Sequence, residues 1–112
     1  NELNERLRFL KYDPGEYFAP HGDGAYIRPR GHDKQGDTSM ITFQLYLNDG
    51  FEGGTTRFFV GRDDYYDVVP KTGSVLLFDH NLFHSGEVLV SGRKYAVRSD
   101  IMFTKRHVNN TK

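Results

Sequence analysis

The feature that most limits what this chain can become is a run of short strand-like segments, each closed by a turn. Residues 39–48 (SMITFQLYLN), 56–60 (TRFFV), 73–78 (GSVLLF) and 94–103 (KYAVRSDIMF) are rich in β-branched and aromatic side chains. That composition suits a pleated, half-buried surface. Turn clusters bound them: DPGE, NDGFEGG, PKTG, DHN and SGRK. There Gly supplies positive φ, Pro a fixed φ, and Asn or Asp a local side-chain bond to the backbone. LRFLKY (7–12) reads as one more strand, and residues 1–6 read as the end of a helix. Short strands at this spacing predict an all-β sandwich or barrel, the class that includes Greek-key jelly rolls. No internal repeat and no low-complexity segment interrupts them.

Size and charge narrow the function. With 112 residues the chain is one domain at most. Fifteen Lys and Arg balance fifteen Asp and Glu, which removes the electrostatic case for a nucleic-acid partner. No apolar run approaches the roughly 20 residues of a membrane helix, so no membrane partner is expected. Cysteine is absent, which excludes a disulfide framework, a thiolate metal site and a Cys nucleophile. The first residue is Asn and no signal peptide is visible. The chain is therefore read as a piece of a longer protein whose flanks hold helices that cover one face of the sheet. The compartment is not fixed by these features; an intracellular one, cytoplasm or nucleus, is the expectation. Asn109-Asn110-Thr111 is a glycosylation sequon at an end expected to fray.

One stretch is neither strand nor tight turn. Residues 24–38 (GAYIRPRGHDKQGDT) are long, polar and Gly-rich, and loops of that length are functional or mobile. The plain reading is a surface loop. The functional reading is a gate on substrate access, with Tyr26, Arg28 and Arg30 as the side chains that touch substrate.

Five histidines occur, at 21, 32, 80, 84 and 107. His21-Gly22-Asp23 is a His-x-Asp triplet. On a strand, residues i and i+2 share a side, so an imidazole and a carboxylate converge. Such triplets are common by chance. His84 follows an apolar strand and a short connection, and supplies a third ligand. Two His and one carboxylate form the facial triad of non-haem Fe(II) oxygenases, which leaves positions open. A rival pairs His80 with His84 at the i, i+4 spacing of a helical zinc site, but the segment between them has no helical pattern.

Lys94 lies ten positions after His84 and alternates to one face with Ala96 and Arg98. Inside a barrel such a cation is costly unless paired, and an anionic ligand would pair it. The plain reading is that Lys94 and Arg98 face solvent. Other site types find little support. Ser85-Gly86 lacks a nucleophile elbow, Gly53-Gly54-Thr55 has no Walker pattern, and Asp63-Asp64 sits in a polar turn.

The ordered set of motifs resembles the iron(II)- and 2-oxoglutarate-dependent dioxygenases, in the prolyl 4-hydroxylase-like branch. It runs over roughly residues 7 to 104 through LRFLKYDPGEYFAPHGDG, MITFQLYLNDGFEGGTTRFF, VVPKTGSVLLFDHNLFHSGE and GRKYAVRSDIMF. The resemblance implies a double-stranded β-helix (jelly roll) whose N-terminal buttressing helices are largely missing, with residues 1–112 as the catalytic core. It implies His21, Asp23 and His84 as iron ligands. Lys94 falls where the family places the base that pairs with the far carboxylate of 2-oxoglutarate. Arg93 is the second candidate, which alternation points the other way. Tyr46 and Tyr12 match pocket tyrosines, and Arg98 either helps hold 2-oxoglutarate or pairs with Asp100. The implied reaction consumes 2-oxoglutarate and O2 and releases succinate and CO2. It hydroxylates a protein side chain, prolyl among them, or a small molecule, with ascorbate as a further reductant. Two alternatives stand beside it. One is an inactive jelly-roll binding module, which has no need of the ligands. The other is a cupin-like metal enzyme that does not use 2-oxoglutarate, which normally carries a His-x-His pair absent here.

Overall fold

The computed structural model describes residues 1–104; His107 and the 109–111 sequon lie outside the described residues. In chain order the strands are β1 (Glu2–Leu3), β2 (Arg8–Tyr12), β3 (Phe18–His21), β4 (Thr38–Tyr46), β5 (Glu52–Gly53), β6 (Thr56–Phe59), β7 (Tyr65–Val68), β8 (Val75–Asp79), β9 (His84–Gly86), β10 (Leu89–Ser91) and β11 (Lys94–Phe103). No helix occurs among the described residues.

The two longest strands, β4 and β11, are rich in β-branched and aromatic residues and pair antiparallel at the centre of a five-stranded sheet. β8 adds beyond β4. β1 and β2 follow one another along the other edge of β11. The second sheet has the order β3-β9-β6-β7, and β5 with β10 forms a two-stranded ribbon. Pro20 falls in β3, an edge strand, the one place in a sheet where its missing N–H is tolerated. The sheets face each other: Phe58 of β6 meets Phe78 of β8 edge-on at 4.9 Å, and the Tyr46 hydroxyl bonds Thr56 Oγ1 across the gap at 2.6 Å. This is the predicted all-β double-stranded β-helix.

Residues 1–6 depart from the expectation. They do not end a helix: Leu3 pairs with Ile101, Asn4 N–H donates to the Asp100 carbonyl, and Ser99 Oγ shares its one proton between the carbonyls of Asn4 and Arg6. An open edge on β11 satisfies these backbone groups, and pairing overrides the weak local preference.

Cross-strand register sorts the side chains by face. Tyr12, Lys94 and Leu10, Ala96, Tyr46 share the inward face, as do Arg98, Gln44 and Leu76. Outward, Phe9, Val97, Leu45 and Val75 form one row, with Phe43 and Leu77 beside them. That outer face is largely bare: Phe9 is 74% and Leu77 53% exposed, although Val97 in the same row is buried.

The 24–38 stretch is closed rather than open. Ile27 bridges Thr38, Arg28 N–H donates to the Asp37 carbonyl, and Gly36 N–H to the Arg28 carbonyl. The Arg28 guanidinium is buried and holds Glu2 (3.0 Å), Glu5 (2.7 Å) and Asp37 (3.2 Å). His32 and Lys34 reach the same two glutamates. Arg28 is therefore a strut between the loop and the N-terminal segment, not a substrate contact. A buried guanidinium needs carboxylates, and two of them come from a strand end far away in sequence.

Candidate metal centre and co-substrate pocket

β3 ends on His21 and β9 begins on His84, and the two residues are ladder partners. Antiparallel pairing therefore sets the two imidazoles side by side, with ring centroids 4.4 Å apart. Two residues on, Asp23 is fixed by its N–H to the His80 carbonyl at 3.0 Å. The donor atoms of His21, Asp23 and His84 all lie within 4.8 Å of one another.

Hydrogen bonds decide which atoms face inward. His21 Nδ1 bonds the Ala19 carbonyl at 2.7 Å and His84 Nδ1 the Leu82 carbonyl at 2.9 Å. A carbonyl only accepts, so each Nδ1 carries a proton, and in the neutral ring each Nε2 keeps the lone pair. Burial holds the His84 imidazole below its ordinary value, which keeps it neutral. Asp23 Oδ2 accepts from Thr42 Oγ1 at 2.6 Å. Asp23 Oδ1 lies 3.3 Å from His21 Nε2 and 3.7 Å from His84 Nε2. His21 Nε2 is buried with no hydrogen-bond partner. An orphaned lone pair, a second one and a carboxylate oxygen at one point fit a divalent metal such as iron, with carbonyl partners fixing the rings behind. Phe18 packs on His21 at 4.3 Å and Phe78 on His84 at 4.6 Å, and they wall the site. Phe43 lies on the outer face instead, and Phe83 packs on Phe59.

The cavity beside this centre is lined by Tyr12, Gln44, Thr56, Lys94 and Arg98 among others. Lys94 is 2% exposed. Its Nζ donates to the Gly54 carbonyl at 2.8 Å and lies 4.8 Å from the Tyr12 ring centre. It has no carboxylate partner among the described residues, and burial pushes its ammonium down to about 8. Burial also raises the Tyr12 and Tyr46 phenols, so both stay neutral donors. The Tyr46 hydroxyl also receives Gln44 Nε2 at 3.1 Å. Arg93 points away, with its side chain 63% exposed and paired with Asp13 at 3.2 Å. Arg98 does not pair with Asp100: it reaches Asp23 Oδ1 at 3.1 Å. Tyr26 and Arg98 border a second cavity with Arg6 and Arg8, while Arg30 is exposed.

His80 is no ligand. It is buried between Thr42 Oγ1 and Ser39 Oγ, each at 2.9 Å. Sequence reasoning missed Thr42, Ser39 and Gly54. Thr42 was within reach, since 42, 44 and 46 share one strand face. Gly54 needed the fold: with φ +72° it turns its carbonyl to Lys94.

Comparison with known proteins points one way. The family model of the 2OG-Fe(II) oxygenase superfamily matches residues 7–99. Prolyl 4-hydroxylase 1 of Arabidopsis thaliana is 28% identical over 85% of this chain and 40% of its own length. A second Arabidopsis relative, probable prolyl 4-hydroxylase 10, is 28% identical with 41% of its length covered. The chain thus spans about two fifths of the curated relatives it matches. Among solved structures, a Pseudomonas putida prolyl-4-hydroxylase superposes with TM-score 0.65 at 25% identity, over 89% of this chain and 52% of that one. The viral collagen prolyl hydroxylase of Paramecium bursaria Chlorella virus-1 shares the fold, with TM-score 0.59 at 24% identity over 90% of this chain and 63% of that one.

Proposed function

The chain belongs to the 2OG-Fe(II) oxygenase superfamily, and from that premise we propose that it is a dioxygenase that uses Fe(II), 2-oxoglutarate and O2 to hydroxylate a protein side chain, a prolyl residue first among the candidates. The observation that carries the reading is Lys94, a buried ammonium without a carboxylate, in one cavity with His21 and His84. An isolated buried charge is expensive, and a dicarboxylate chelated at the metal end supplies the missing partner at the other. An inactive binding module or a cupin-like enzyme leaves this cation without a purpose.

The residues divide the work. His21, Asp23 and His84 hold the metal, which supplies redox chemistry and O2 activation when bound. Lys94 pairs with the far carboxylate, and the Tyr12 face and neutral phenols shape the slot around it. Phe78 shields the His84 ring, and Phe18 covers one side of the His21 ring. Substrate choice follows the resemblance of the relatives, whose names are those of prolyl 4-hydroxylases.

The test is turnover of 2-oxoglutarate by the chain with Fe(II) and ascorbate, against proline-containing peptides and small molecules. Succinate formed one-for-one with hydroxyproline on a peptide is the expected result. Hydroxylation of a small molecule instead would move the substrate class, and absence of succinate with every substrate would overturn the reading.

A further inference from the structure

We propose that Ser39, Thr42 and His80 are positioning residues: they form a directed hydrogen-bond chain that turns the Asp23 carboxylate so that Oδ1 alone faces the metal. This rests on the metal-site reading above.

The chain begins at the base of the 24–38 excursion. Tyr26 N–H donates to Ser39 Oγ at 2.6 Å. Ser39 Oγ lies 2.9 Å from His80 Nε2, His80 Nδ1 lies 2.9 Å from Thr42 Oγ1, and Thr42 Oγ1 donates to Asp23 Oδ2 at 2.6 Å. Each hydroxyl owns one proton. Thr42 spends its proton on Asp23, so its oxygen must accept from His80, and Nδ1 must carry a proton. Ser39 accepts from Tyr26 and is left with a proton for Nε2, to which it is closer (2.9 Å) than Asp100 Oδ1 at 3.6 Å. Every donor then has an acceptor in one direction. The opposite tautomer breaks the order, because Thr42 cannot donate to both a bare Nδ1 and Asp23.

Burial makes the chain matter. Ser39, Thr42 and His80 are all buried, where an unmade hydrogen bond is costly. His80 also grips Asp23 twice, since its carbonyl receives the Asp23 N–H at 3.0 Å. The alternative is that His80 is only a satisfied core residue. That role carries no consequence for how a metal binds or for the spectrum it shows.

The experiment uses the whole chain and Co(II) alone, without turnover. Thr42→Val should weaken Co(II) binding about 10–100-fold, the usual cost of losing an outer partner. It should also change the visible spectrum of the added Co(II), because a carboxylate freed at Oδ2 would present a different ligand field. Thr42→Ser should restore both. Equal affinity and identical spectra for Thr42→Val and the unaltered chain would overturn the proposal. Failure of the unaltered chain to bind Co(II) would instead sink the metal-site reading. A measurement without substitution guards against misfolded variants: nitrogen NMR of His80 should show Nδ1 protonated. A protonated Nε2, whether Nδ1 is bare or also protonated, overturns the chain outright.

Discussion

At Lys94 a single side chain ties stability to co-substrate binding. Its folded value lies near 8 and the unfolded reference near 10.5, with burial as the cause. Between those values the unfolded chain binds more protons than the folded one, so stability of the ligand-free protein rises with pH across that window. The rise amounts to about 3 kcal/mol, at roughly 1.36 kcal/mol per unit. Urea unfolding at pH 7.5 and 10 measures it, and Lys94→Met should abolish the difference while making the protein more stable at pH 7.5. The same variant should lose 2-oxoglutarate affinity tenfold or more, since a charged hydrogen bond contributes roughly 1.5–3 kcal/mol. In the unaltered chain that affinity should fall as pH rises above 8; a flat profile would detach Lys94 from the co-substrate. The clustering of His21, Asp23 and His84 and the inward face of Lys94 were legible because residue type and spacing along single strands carry them. Arg28 was misread because a cation in a polar, Gly-rich stretch looks solvated, and its partners Glu2 and Glu5 come from another element. The role of His80 was hidden for a related reason: its neighbours Ser39 and Thr42 are ordinary strand residues until β4 and β8 are paired.

Among the elements, the β5–β6 connection has the tightest requirement. Gly53 and Gly54 both have positive φ, and a Cβ on Gly54 would sit 3.0 Å from Phe51 Cε1 and 3.3 Å from both Leu89 Cδ1 and Lys94 Cδ. Strain of this kind costs about 1–3 kcal/mol. Gly54→Ala should lower the unfolding free energy by that order and weaken 2-oxoglutarate binding, because the carbonyl that receives Lys94 moves. Co(II) affinity should hold, since no ligand touches this turn; a parallel loss of Co(II) would mean that the two ends of the cavity are not separable. Strand-length elements were readable where β-branched and aromatic residues ran between turn clusters, as in β4, β6, β8 and β11. β3 and β9 were not readable. They are four and three residues long, β3 contains a proline, and their pairing is visible only as the His21↔His84 partnership across the chain.

For the whole molecule, the bare face of the five-stranded sheet is the dominant fact. Phe9, Val75 and Leu77 lie open on it, and exposed apolar area of this kind marks a contact surface or an aggregation liability. The chain should bind the dye ANS in its folded state, and the double change Phe9→Ser with Leu77→Ser should reduce that fluorescence while Co(II) affinity stays the same. Undiminished fluorescence would place the dye elsewhere. The position of β11 has a different consequence, one of timing. This strand, the last of the described ones, is the hub on which β1, β2 and β4 all pair, and it brings Lys94 and Arg98 with it. During synthesis the N-terminal strands leave the ribosome with no edge to join, and they must wait for some ninety residues of later chain. Local contacts cannot shorten that wait, because the pairings are far apart in sequence. A nascent chain stalled at the SGRK turn would therefore hold β1 and β2 unpaired, as targets for chaperone or protease. His21, Asp23 and His84 would already be made, but Lys94 would not yet be in place.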